Sequence, residues 1–169
     1  MNGSVSLNVA ETKVTNHINS VEAAMSNITD ICREKGLRLT PLRRRILELI
    51  LQQHNPIGAY ELMDSLRGDG RRADPPTIYR TLDFLITNGL AHRIQSLNAY
   101  VGCQNPRNPH SAQFFICQNC SKTAELEQND INEVLERHAR DFNFEVKDMI
   151  LEVTGICSKC REPIPTKGV

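Results

Sequence analysis

The chain has 169 residues, 20 of them basic and 20 acidic, with six cysteines. That length holds one ordinary domain or two small ones, and a net charge of zero says nothing by itself about partners. No apolar stretch is long enough to span a membrane, and the N-terminus lacks the charged start and apolar run of a secretory signal. A reducing cytoplasm is therefore expected, where six cysteines are metal ligands or redox thiols rather than a disulfide framework.

Residues 1–26 are polar and weakly periodic, which reads as a flexible or partly helical extension. A helix follows through "NITDICREKG", where Ile28, Ile31 and Cys32 share one face and Gly36 stops the turn. Cys32 is expected to be a small buried hydrophobe. Between Arg33 and Arg45 six basic residues stand against the single acid Glu34, a local patch able to attract phosphate or simply a solvated helix face. A second helix is marked by Thr40 as cap, Pro41 at its first position and the stripe Leu42, Ile46, Leu49 and Ile50. A third runs through "GAYELMDSLRG" with Leu62, Met63 and Leu66 inward. The fourth, "ADPPTIYRTLDFLITNG", has Asp74 as cap and Asn88-Gly89 at its end. Ile78, Leu82 and Leu85 face in, while Thr77, Tyr79 and Arg80 are presented outward, able to reach base edges and phosphates.

"LAHRIQSLNAYVG" reads as a hairpin, Leu90–Gln95 and Ala99–Gly102. Three helices, a further exposed helix and a small hairpin follow the order of a winged helix. After the polar loop "QNPRNPH" come two short strands, "AQFFIC" and "KTAELE". A helix follows, with Asp130 as cap and Ile131, Val134 and Leu135 on one face, and then a long strand in "FNFEVKDMILEVTGIC". This β-β-α-β module is too small to bury much core alone, which invites a metal and a second copy.

Cys117-x-x-Cys120 and Cys157-x-x-Cys160 are two knuckles separated by 36 residues, enough for a strand-helix-strand excursion that returns beside its origin. Four thiolates suit tetrahedral zinc, and a two-residue spacer lets both sulfurs of a pair reach one ion. The competing readings are two disulfides or a redox pair, the latter leaving the second knuckle without a purpose. Cys103 lies just past the hairpin, with His92 on the partner strand and His110 seven residues on. With a carboxylate, Glu125 first and Glu127 second, they would make a further site of mixed ligands at the seam between modules. No nucleophile–base pairing supports an enzyme.

"RLTPLRRRILELI", "PPTIYRTLDFL", "AYVGC", "H…FFICQNC" and "GICSKC" resemble the ferric uptake regulator family over about residues 27 to 160. The resemblance is to its zinc uptake branch, since the iron-type members carry a histidine-rich segment where this chain has only His110. It implies an α+β protein: a flexible extension at 1–26, a winged-helix DNA-binding domain at 27–102 and a hinge at 103–111. A small dimerisation domain with structural zinc follows at 112–160, and a tail at 161–169. It further implies two zinc ions per chain, one structural on Cys117, Cys120, Cys157 and Cys160, one regulatory on His92, Cys103, His110 and Glu125. His, Cys and carboxylate in a four-coordinate set suit zinc better than ferrous iron or manganese.

The implied function is a zinc-responsive repressor of zinc-uptake genes. A homodimer would bind a palindromic operator in double-stranded DNA through Tyr79, Arg80 and Thr77, with Tyr60, Arg43 and Arg44 toward the backbone. The alternatives are a relative answering to iron, manganese or peroxide, a CxxC redox protein, and a constitutive zinc-stapled DNA-binding module.

Overall fold

A computed structural model describes residues 17–108, 110–126 and 130–161, with side chains from Val21 onward. The expectations placed on residues 1–16, on Glu127 and on the tail beyond Arg161 lie outside the described residues. Helix α1 (His17–Glu34) begins ten residues inside the stretch read as extension, and Met25, Ile28, Ile31 and Cys32 are buried along it. α2 (Pro41–Gln52) starts where Thr40 Oγ1 accepts a hydrogen bond from Arg43 N at 3.4 Å. It buries Leu47 in addition to Ile46, Leu49 and Ile50 of the expected stripe.

A two-residue strand, β1 (Ile57–Gly58), was not expected; it is too short to carry a period of its own. It leads into α3 (Ala59–Gly68), whose first turn is fixed by the Glu61 carboxylate accepting from Gly58 N at 2.7 Å. α4 (Pro75–Thr87) has Pro at its first position, and Asp74 Oδ1 accepts from Thr77 N at 3.2 Å. Its far end closes as a Schellman turn: Leu90 N donates to Leu85 O at 2.8 Å and Gly89 N to Ile86 O at 2.9 Å. Gly89 adopts φ +67°, a left-handed conformation that only glycine enters cheaply. That turn aims the chain straight into β2 (Ala91–Ile94), which pairs with β3 (Ala99–Gly102) in a hairpin. β1 pairs with the far side of β3, so the wing is a three-stranded sheet in the order β1-β3-β2. Gly102 lets it lie close on α2, because a Cβ there would meet Leu51 Cδ2 at 2.4 Å. The four helices and the wing enclose one core around Ile46, Leu47, Leu62, Ile78, Leu82 and Leu85. This is a winged helix.

The second module has β4 (Ala112–Cys117), β5 (Thr123–Glu125), α5 (Asp130–Asp141) and β6 (Ile150–Gly155). β4 is central, antiparallel to β5 and parallel to β6, and α5 lies in the crossover that a parallel pair requires. The long strand expected from Phe144 onward shrinks to Ile150–Gly155, because β4 starts at Ala112, opposite Ile150, and offers earlier residues no partner. The apolar face of α5 carries Ile131, Val134 and Leu135, the residues expected to share it. Ile131 is half-buried, while Val134 and Leu135 are each 42% exposed, alongside Phe142, Phe144, Ile150 and Val153. The amphipathic pattern is real, and among the described residues Val134 and Leu135 remain exposed.

The two modules share a small core of their own. Ile94 from the wing packs with Phe114 and Ile116 of β4, flanked by Val101 and Ala112. The wing is thereby laid on the C-terminal sheet.

Candidate metal centres and nucleic-acid surface

The knuckles close as tight turns. Ser121 N returns to Cys117 O at 2.8 Å, with Ser121 at φ +57°, and Cys160 N returns to Cys157 O at 3.0 Å. Because β4 and β6 run parallel and end together at Cys117 and Gly155, the two turns leave the sheet side by side. The Sγ atoms of Cys117, Cys120, Cys157 and Cys160 all lie within 4.8 Å of one another. Cys120 and Cys157 are 3.8 Å apart, the spacing of two sulfurs each about 2.3 Å from a tetrahedral zinc. Backbone amides lower the Cys117 thiol to about 6, Cys157 N donating at 3.3 Å and Cys120 N adding to it. Cys160, hydrogen-bonded by its neighbours in the thiol form, is pushed up to about 12. One member of the cluster is thus ready to be a thiolate, and all six cysteines of the chain are free of disulfides.

The second group joins the modules. His92 comes from β2, Cys103 follows β3, His110 belongs to the connecting segment and Glu125 ends β5; their ligand atoms again lie within 4.8 Å of one another. Glu125 Oε1 is 2.9 Å from His92 Nε2 and 2.6 Å from His110 Nε2, and Cys103 Sγ is 3.7 Å from the same His110 nitrogen. The carboxylate is almost fully enclosed, with its side chain 2% exposed. Burial pushes its pKa up, but His92, His110 and the Gln104 amide outweigh burial and hold it below the ordinary value.

Three features suit this set to a cation. His92 Nε2 is buried without a well-aligned hydrogen bond, although it faces the carboxylate. His110 turns its other nitrogen, Nδ1, to the Asn108 carbonyl at 2.7 Å, which orients Nε2 toward the cluster. Gln104 N likewise holds Glu125 Oε2 at 3.1 Å, leaving Oε1 for the centre. An open cleft of about 670 Å³ between the modules, lined by His92, His110, Arg93, Lys35 and Asp148, leads to the histidine edges from solvent.

Of the expected DNA-facing residues, Tyr60 is 73% exposed at the start of α3, and Tyr79 and Arg80 are exposed on α4. Thr77 is half-buried, giving its amide to the Asp74 cap. Arg43 and Arg44 are already engaged. The Arg43 guanidinium lies 3.5 Å from the Phe84 ring centre and donates to Arg38 O at 2.7 Å, while Arg44 pairs with Glu48 at 3.0 Å.

The sequence profile of the "Ferric uptake regulator family" matches residues 34–154. The chain belongs to this family. Among its relatives, the zinc uptake regulation protein of Escherichia coli (strain K12) is 33% identical over 144 residues, 85% of this chain and 84% of that one. A structure of a zinc uptake regulator complexed with zinc and DNA superposes with a TM-score of 0.80 at 33% identity, covering 83% of this chain and 95% of that chain. Holo XcZur gives 0.76 at 42% identity over 82% of this chain and 96% of its own, whereas apo XcZur, 40% identical, gives 0.50. At similar identity, the structure therefore superposes better on the holo form of that protein than on its apo form. Within this family frame, the supports contributed by Asn108 O and Gln104 N were missed from sequence. Backbone donors and acceptors leave no residue-type signature.

Proposed function

We propose that this protein is a zinc-responsive transcriptional repressor of zinc-uptake genes, acting as a homodimer on a palindromic operator. The observation that carries the reading is the second ligand set. His92 and Cys103 hang from the wing, Glu125 belongs to the C-terminal sheet, and an ion held by all of them with His110 would fix the angle between the modules. The kinship to zinc uptake regulators supports zinc as that ion, as does the mixture of imidazole, thiolate and carboxylate.

Zinc on Cys117, Cys120, Cys157 and Cys160 would have the other role. The C-terminal module has little core, so metal-binding energy there is folding energy. The uncovered apolar surface of α5 and of residues 142–153 suits a second copy of the chain, and two-fold symmetry presents two reading helices to the two halves of a palindrome. In each head the exposed Tyr79 and Arg80 are the base-reading candidates, with Thr77 at the start of the same helix. Tyr60, Arg43 and Arg44 flank them toward the phosphates, the two arginines exchanging their internal partners for DNA.

The test is a pair of measurements on the full chain. Metal analysis should give two zinc ions per chain, and Cys103→Ser should give one, in a folded protein whose operator binding no longer responds to zinc. If Cys103→Ser keeps the zinc response, the regulatory site is elsewhere. If iron, manganese or an oxidised thiol pair tightens operator binding instead, the signal is not zinc.

A further inference from the structure

Phe114 on β4 stands directly opposite Glu125 on β5 and opposite Glu152 on β6. Side chains opposite one another across a sheet share a face, so these three form one row. The wing lies along that row. Glu125 meets His92 at 2.9 Å, the Phe114 ring meets the His92 ring edge-on with centroids 5.6 Å apart, and Ile94 packs on Phe114. At the far end, the Glu152 carboxylate accepts from two successive amides of the hairpin turn, Gln95 N at 2.5 Å and Ser96 N at 3.0 Å. Successive amides converging on one carboxylate form a small anion-binding concavity. Burial would raise the pKa of Glu152, and these donors outweigh it and hold the group ionised.

The wing strand is thus attached at both ends, at His92 and at Gln95–Ser96, points roughly 10–13 Å apart at the rise of an extended chain. One anchor leaves a pivot; two fix a direction. We propose that Glu152 is a positioning residue, the second and metal-independent anchor of the wing, which presents His92 and Cys103 to His110 and Glu125. The consequence for regulation rests on the function proposed above, while the clasp itself does not. Without Glu152 the ion must itself pay the cost of ordering the wing, so zinc at that site binds more weakly and tightens DNA binding less.

The experiment compares the full-length protein with Glu152→Ala and Glu152→Gln. Hydrogen exchange at the Gln95 and Ser96 amides should speed up at least about tenfold in the alanine variant. It should be intermediate with glutamine, which keeps one acceptor oxygen and loses the charge. Affinity for the second zinc equivalent should fall roughly 5- to 20-fold in the alanine variant, in line with losing charged hydrogen bonds at a half-exposed site, while the first equivalent stays bound. Unchanged exchange, or unchanged affinity for the second zinc, overturns the proposal. Loss of the first equivalent in alanine passes the decision to glutamine; loss in both also overturns it, since a residue serving the wing leaves the cysteine cluster standing. Exchange at these amides is read without zinc response or DNA. A wild-type protein indifferent to zinc would therefore refute the regulatory reading and still leave the clasp measurable.

Discussion

Cys117 and Cys160 stand at opposite ends of the titration of one cluster. With its pKa near 6, Cys117 is mostly thiolate at neutral pH, whereas Cys160, near 12, keeps its proton. In the metal-free fold the depressed Cys117 contributes stability above the pKa of an unfolded thiol, and that contribution is lost as pH falls through about 6. Cys160 acts on binding instead, because zinc takes only the thiolate and must displace the Cys160 proton. Zinc affinity at the cysteine cluster should therefore rise from pH 6 to pH 8, with protons released. Calorimetry in buffers of different ionisation enthalpy reads the proton count directly; a pH-independent affinity with no proton release would contradict the assignment. Cys157→Ser removes both a proposed ligand and a member of this hydrogen-bond set, so it should cost the C-terminal module its fold. Cys103→Ser should cost only the response. Circular dichroism and zinc content together separate the two.

α4 shows how an element transmits such demands. Its inner face is Ile78, Thr81, Leu82 and Leu85, all buried, and its end feeds directly into the strand that carries His92. Leu82→Ala leaves a cavity beneath the exposed Tyr79 and Arg80 and should destabilise the protein by about 2–5 kcal/mol in denaturant unfolding. Gly89→Ala is expected to cost about 1–2 kcal/mol, because alanine must enter a left-handed conformation at φ +67°. It should also misdirect β2, weakening zinc at the proposed joint site more than at the proposed cysteine site. α2 to α4 and the hairpin were legible in the sequence because Thr40, Asp74, Pro41, Pro75 and Gly89 punctuate them and their stripes keep one period. The knuckles were legible because spacing alone constrains two sulfurs. The strand expected across 144–149 was not a strand, since alternation reports amphipathicity and says nothing about whether a pairing partner exists. Glu152 was invisible for a different reason: it serves the backbone amides of Gln95 and Ser96, more than fifty positions earlier, and any carboxylate on a strand looks alike in sequence.

At the scale of the whole molecule the two proposed ions differ in what they join. The cysteine cluster joins two turns of one sheet, so its ion leaves only when that sheet comes apart. The other set joins wing, hinge and sheet, so its ion can leave through the solvent-lined cleft while both modules stay folded. A chelator titration should accordingly run in two stages. The first removes one zinc per chain and releases the operator without loss of helix content; the second removes the remaining zinc together with the C-terminal fold. Linkage then fixes the effect of DNA on the first stage. If zinc in the joint tightens operator binding by some factor, operator DNA must tighten zinc by the same factor, typically about 5- to 150-fold. Operator DNA should therefore shift the first stage to higher chelator and leave the second in place, because the cysteine cluster lies within one sheet and not at the joint between wing and sheet. Non-specific DNA of equal length serves as the control, since it supplies phosphates without the operator sequence. A first stage that ignores operator DNA would show that the ion at the joint does not control the reading heads, however well His92, Cys103, His110 and Glu125 hold it.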